Sequence, residues 1–232
     1  QAEIDIRWLD NGSNHNTLNR IYLKNYYYGI IITGSSSYNS IQNSYIDHMT
    51  HAGRLSDNVG IALQSWGATS TSPVYSFHNK IINNDIRNAG DGIQLVRKQG
   101  QEENSFYDGT IIDSNRIWND GDVYTNGDYA TNGYNPNGQY QIGENAMDFK
   151  QGSSDPENPV IVSNNIMWGY QEGDTTAGGS QTGGSGAACP LHYEVQNIKF
   201  DRNIIFDSMD GFASSGVFSG QTYAIKDCEF TN

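Results

Sequence analysis

The stretch Ile81-Ile-Asn-Asn-Asp-Ile86, followed by Gly92-Ile-Gln-Leu-Val96, carries the pattern on which the fold turns. In its first piece an apolar residue is followed three positions later by Asn, and two positions after that by a second apolar residue. The same template reads Leu18/Ile21/Leu23, Ile41/Ser44/Ile46, Ile81/Asn84/Ile86, Ile112/Asn115/Ile117, Ile161/Asn164/Ile166, Phe200/Asn203/Ile205 and Ile225/Cys228/Phe230. Copies recurring about 20–50 residues apart mark a stacked architecture rather than a single globular layer. The second piece follows each of the first six templates, as Gly29-Ile-Ile-Ile-Thr33, Gly60-Ile-Ala-Leu-Gln64, Gly92-Ile-Gln-Leu-Val96, Ala146-Met-Asp-Phe-Lys150, Ala188-Cys-Pro-Leu-His192 and Gly211-Phe-Ala-Ser-Ser215. Its second and fourth positions are apolar except at Ser214. Period-two alternation therefore places Ile30, Ile61, Ile93, Met147, Cys189 and Phe212 on an inner face.

Short strands stacked unit upon unit specify an all-β, right-handed parallel β-helix of about seven coils. A propeller needs about 40 residues and four strands per blade, and a leucine-rich repeat needs a Leu-rich consensus; neither pattern is present. The recurring Asn fits an internal ladder, each side-chain amide bonding to the coils on either side. At about 4.8 Å per coil the rod is about 35 Å long. Residues 1–232 read as one domain. The chain opens on the alternating segment Ala2 to Trp8 and shows no capping element, so it is expected to be a fragment or module of a longer protein.

Composition narrows the function. Lys and Arg number 13 against 26 Asp and Glu, a formal charge of −13, which excludes a nucleic-acid or anionic-membrane partner because both need a basic surface. Cys189 and Cys228 are too few for a disulfide framework and lack zinc-site spacing, and their inward positions make both buried thiols. No apolar run reaches the roughly 18 residues of a membrane span.

Three insertions, Asp47 to Val59, Trp118 to Asn145 and Met167 to Ala187, all fall between the template and the second strand. They share one corner and bring His48, His51, Tyr124, Tyr129, Tyr134, Tyr140, Trp168 and Tyr170 to it, an aromatic wall suited to sugar rings. The Gly-rich run from Gly178 to Gly186 lacks the Lys-Ser/Thr of a phosphate loop and reads as a flexible lid. Outward positions of the second strand form two columns, Ile31/Ala62/Gln94/Asp148/Pro190/Ala213 and Thr33/Gln64/Val96/Lys150/His192/Ser215. Asp148, Lys150 and His192 thus converge, with Gln64 and Gln94 beside them and Arg97 and Lys98 at a strand end. Lys150 and His192 stack about 5 Å apart. Two cations so close depress each other's pKa, which would make Lys150 a base near neutral pH. Glu144 and Asp148 bracket the strand entry and could hold Ca²⁺.

The stretch Glu144-Asn-Ala-Met-Asp-Phe-Lys-Gln-Gly-Ser153, followed by Val160-Ile-Val-Ser-Asn-Asn-Ile166, resembles the calcium-binding strand of the pectate-lyase-like right-handed β-helix superfamily. Asn43-Ser-Tyr-Ile-Asp-His48 is similar to the Trp-Ile-Asp-His segment of the same enzymes, and the repeat pattern as a whole covers roughly residues 40–210. The family's Arg-x-Pro-x-x-Arg catalytic segment is absent. The Asp-x-Lys-x-x-Ser setting of Lys150 is also similar to alginate and chondroitin lyases of this fold, which implies a lysine base beside calcium. Polygalacturonase motifs, and those of pectin esterases, are missing.

The expectation from these readings is a secreted, monomeric polysaccharide lyase. It would bind its polymer through Gln64, Gln94, Arg97, Trp168 and Tyr170, hold Ca²⁺ with Glu144 and Asp148, and use Lys150 as base with His192 or a Tyr as acid. A glycoside hydrolase pairing Asp148 with Asp210, Glu144 or Asp91 is the first alternative. A non-catalytic glycan-binding module is the second.

Overall fold

Each template folds as a strand, a sharp corner and a second strand because one residue per corner takes a left-handed backbone. Arg20, Asn43, Asn83, Ser114, Asn164 and Arg202, each two positions past the inward residue of the first strand, have φ between 50° and 58°. Asn tolerates that region better than most residues, which accounts for its frequency there. From the second of these corners onward the following residue, Ser44, Asn84, Asn115, Asn165 or Asn203, joins a ladder. Asn84 Nδ2 donates to Asn115 Oδ1 at 3.0 Å, Asn115 Nδ2 to Asn165 Oδ1 at 3.0 Å, and Asn165 Nδ2 to Asn203 Oδ1 at 2.9 Å. Each Nδ2 also donates to a main-chain carbonyl, as from Asn115 to Ile81 at 2.9 Å. The ladder expected from the repeat is therefore present.

The computed structural model describes residues 4–6, 12–24, 26, 28–49, 59–64, 74–96, 105–120, 144–170, 187–192, 195–215, 225 and 227–231. Among them there is no helix. Three parallel sheets are built from strands that recur in the same order along the chain, the arrangement of a solenoid. The first sheet stacks Thr17–Asn19, Ser40–Gln42, Lys80–Ile82, Ile111–Asp113, Val160–Ser163, Ile198–Asp201 and Glu229–Thr231. The second stacks Tyr22–Lys24, Tyr45–Met49, Asp85–Ala89, Arg116–Trp118, Ile166–Trp168 and Ile204–Phe206. The third holds Ile4–Ile6, Tyr28–Thr33, Val59–Gln64, Asp91–Val96, Asn145–Phe149, Ala187–His192 and Asp210–Ser215. A short parallel pair, Val74–Tyr75 with Ser105–Phe106, lies outside these sheets.

Register follows the inward residues. Leu18, Ile41, Ile81, Ile112, Val162, Phe200 and Phe230 align in the first sheet, and Ile30, Ile61, Ile93 and Met147 in the third. These side chains and their counterparts in the second sheet form one continuous core from Leu23 to Phe200. Full burial of an Ile stabilises by about 1.5–3 kcal/mol, so the stacked columns supply the main driving force.

Three expectations need correction. In the fifth template Ile112 pairs with Val162 and Ile117 with Met167, so the ladder residue is Asn165 rather than Asn164. The run Val160-Ile-Val is apolar at both parities and cannot fix its own face, and a one-residue slip exchanges the two faces. Asn164 instead occupies the corner at φ 54°. In the last template Phe230 pairs with Phe200, so it belongs to the first sheet and not the second. Cys228 is only half-buried, whereas Cys189 is buried, and neither forms a disulfide among the described residues. The alternating opening segment finds its place as well: Ile4 pairs with Ile30 and adds a strand to the third sheet.

Candidate functional site

The outward columns of the third sheet align as their sequence order requires. Ile31 pairs with Ala62, Ala62 with Gln94 and Gln94 with Asp148, while Thr33 pairs with Gln64 and Gln64 with Val96. Phe149 pairs with Leu191, which sets Lys150 beside His192 at the strand ends. The face is not the open groove floor that outward alternation suggests. Ile31, Ala62, Thr33, Gln64 and Asp148 are all buried, and among the described residues of the cluster Lys150 and His192 are the most exposed, with side chains 26% and 21% accessible.

Asp148 is the centre of the arrangement. One carboxylate oxygen meets Lys150 Nζ at 2.6 Å and accepts from Gln94 Nε2 at 2.8 Å, and the other lies 3.1 Å from His192 Nε2. Gln94 Nε2 also donates to Asp91 Oδ2 at 3.0 Å, while Asn145 Nδ2 donates to Asp91 Oδ1 at 3.0 Å. Two buried carboxyls on adjacent coils are thus joined through a single amide nitrogen.

Their environments push them apart. Burial raises the pKa of Asp91, and the charges of Asp148 and Glu144 raise it further, so it stays protonated well above the usual carboxylate range. Burial also works against ionised Asp148. The adjacent His192 imidazole, the Lys150 charge and the Gln94 amide outweigh it and hold Asp148 below its ordinary value. Burial, the largest single effect, would lower Lys150, but the charge and hydrogen bond of Asp148 together with the neighbouring acidic side chains outweigh it, and the lysine is held above its usual pKa. The expectation of a neutral lysine base therefore fails, because the nearest charge to Lys150 is a carboxylate rather than the imidazole. Column position alone did not reveal that Asp148 points between the two.

Among the described residues no three His, Cys, Asp or Glu side chains gather into a metal-ligating group. The Asp148 oxygens already face an ammonium, an amide nitrogen and an imidazole. Glu144 sits before the strand and acts on Asp91 through its charge. The residues in place do not fit a Ca²⁺ held by Glu144 and Asp148, and no step is derived through a metal.

The remaining candidates separate. Gln94 belongs to the cluster. Gln64 is buried with its Oε1 unpaired, as is the Oγ1 of Thr33 in the same column. Trp168 stands on the second sheet between Trp118 and Phe206, its ring centroid 5.0 Å and 5.5 Å from theirs and nearly parallel to both. Tyr170 follows Gly169, whose φ of 79° turns the chain inward, and is fully buried in the core, where it cannot touch a surface substrate. Asp210 is exposed at the start of the neighbouring coil's strand. Arg97, Lys98, His51, Tyr124, Tyr129, Tyr134, Tyr140 and the run from Gly178 to Gly186 lie outside the described residues, as does the side chain of His48. Asn145 was not singled out by sequence; its only signal is that it stacks on Asp91. No family model matches the chain, and no curated protein or solved structure is significantly similar to it.

Proposed function

We propose that the chain is a right-handed parallel β-helix of about seven coils and a secreted enzyme that cleaves a uronate-containing polysaccharide by β-elimination. The observation that carries the reading is the buried Asp148 contacting both Lys150 and His192, two heads that reach solvent at one strand end. His192 Nε2 lies 3.1 Å from Asp148, which leaves Nδ1 as the ring nitrogen available to a substrate proton. His192 is therefore assigned as base, removing the proton at C5 of the uronate. Lys150, held protonated, pairs with the sugar carboxylate and makes that proton more acidic. The C5 electron pair forms the double bond to C4, the C4–O bond breaks, and the departing oxygen takes a proton from water.

The test is ultraviolet absorbance of unsaturated product on pectate, alginate and glycosaminoglycans. His192→Ala should slow turnover by about 100-fold or more, and Lys150→Gln should raise KM and lower kcat together, since it removes both a binding contact and the charge that acidifies the proton. Absence of unsaturated product from every uronate polymer would sink the reading. The split protonation of Asp91 and Asp148 favours a second one, a glycoside hydrolase with Asp91 as acid. Reducing sugar released without unsaturation selects it, and glycan binding without turnover selects a binding module.

A further inference from the structure

A groove of about 720 Å³ runs along the outer face of the first sheet, within the roughly 300–1,000 Å³ of ligand sites. One wall is a ring ladder at the corner preceding the sheet. His15 stacks on Tyr38 with centroids 4.9 Å apart and planes at 8°, and His78 lies against Tyr38 at 5.1 Å with its plane tilted by 30°. Ser40, Gln42 and Lys80 line the groove beside it.

Two observations point to a ligand. First, the three rings stand on left-handed backbone, with φ of 60°, 59° and 52°. That region suits Gly, Asn, Asp and His but disfavours a bulky residue such as Tyr38, and the next coil places Gly109 there at φ 64°. Gly109 leaves room for the His78 ring, since a Cβ on it would lie 2.3 Å from His78 Nδ1. The corner needs the backbone conformation, not the rings. Second, the lining contains no Asp or Glu, although the chain has 26 of them. It contains Lys80 and two of only five histidines. The three rings follow one another at about the coil spacing, a row of side chains able to hydrogen-bond parallel to the stacking direction.

We infer that this groove binds a segment of anionic glycan lying along the stacked coils, its hydroxyls on the ring edges and its acidic groups at Lys80. The site lies on a different sheet from Asp148 and does not depend on the reaction assigned there. The experiment is calorimetric titration of the full chain carrying Lys150→Gln, which removes the cation from the other face. The probes are a galacturonate hexasaccharide, a chondroitin sulfate hexasaccharide and cellohexaose. At least one anionic probe should bind, weaken with added salt, and lose about tenfold in affinity on Tyr38→Ala and on Lys80→Gln. Which anionic probe binds separates carboxylate from sulfate recognition. Gly109→Ala, which displaces the His78 ring, should weaken binding as well, and Lys80→Gln keeps the test sound if either corner variant misfolds. Failure of both anionic probes, equal binding of cellohexaose, or unchanged affinity in folded Tyr38→Ala and Lys80→Gln proteins would overturn the inference.

Discussion

Asp91 and Asp148 are chemically identical side chains on neighbouring coils, and their surroundings give them opposite pH behaviour. Asp148 has a lowered pKa, so its contribution to stability is complete above the unfolded value of about 3.9 and is lost as pH falls below it. Asp91 has a raised one, so its contribution is full below about pH 3.9 and disappears as pH climbs through the folded pKa. Of the two, only Asp91 changes stability above about pH 4, and it does so downward. Denaturation midpoints of Asp91→Asn measured from about pH 4 to 7 should show a flatter decline than the unaltered chain and greater stability at the upper end; an unchanged slope would argue against a protonated Asp91. Asp148→Ala strands Lys150 and His192. Loss of a partner in a fully buried pair costs about 3–5 kcal/mol, but the Lys150 and His192 side chains are about a quarter exposed, so about 1–3 kcal/mol is expected in urea unfolding. Sequence brought these residues to one column through period-two alternation. It could not show that Asp148 turns between Lys150 and His192, because that orientation depends on Gln94 from the adjacent coil.

At the scale of elements, the Asn ladder and the glycines beside it set the spacing between coils. Asn115 accepts from the backbone and side-chain nitrogens of Asn84 and donates to Ile81 and Asn165, all in the interior. Asn115→Ala should cost about 2–4 kcal/mol because it leaves a buried Asn84 N–H without its acceptor. Asn203→Ala, at a half-buried rung, should cost less, and equal losses would argue that the ladder is not the cause. Gly92 gives a similar contrast. A Cβ there would lie 2.3 Å from Ile117 Cγ2 and 2.5 Å from the Ala146 carbonyl oxygen, whereas on Gly211 the nearest atom is 4.0 Å away. Gly92→Ala should therefore destabilise by about 1–3 kcal/mol or more, with Gly211→Ala within about 0.5 kcal/mol of neutral.

Across the whole molecule, inward residues are not equally protected. Phe149 is fully buried, yet Phe212 and Phe230, also inward in register, are 41% and 51% exposed. A stacked repeat takes its stability from neighbouring units, so exposure of the last described units predicts an uneven distribution of strength. Phe149→Ala should cost about 3–5 kcal/mol and Phe230→Ala well under half of that. Amide exchange should be slowest in the central strands of all three sheets; uniform protection along the stack would contradict this. The sequence by itself determined the stacked β architecture, the corners and the order of the outward columns, because these follow from alternation and from Asn or Gly at fixed spacing. It misread the register at Val160-Ile-Val, where both parities are apolar, and missed the His15–Tyr38–His78 ladder, whose spacing matches the repeat but whose residue types do not. The tertiary structure alone decided that the Asp148 face is covered rather than open, that Lys150 is held protonated, and that Tyr170 is core. Each depends on the distance between side chains of different coils, and a local pattern fixes the face a residue occupies without fixing the charge or the cover it meets there.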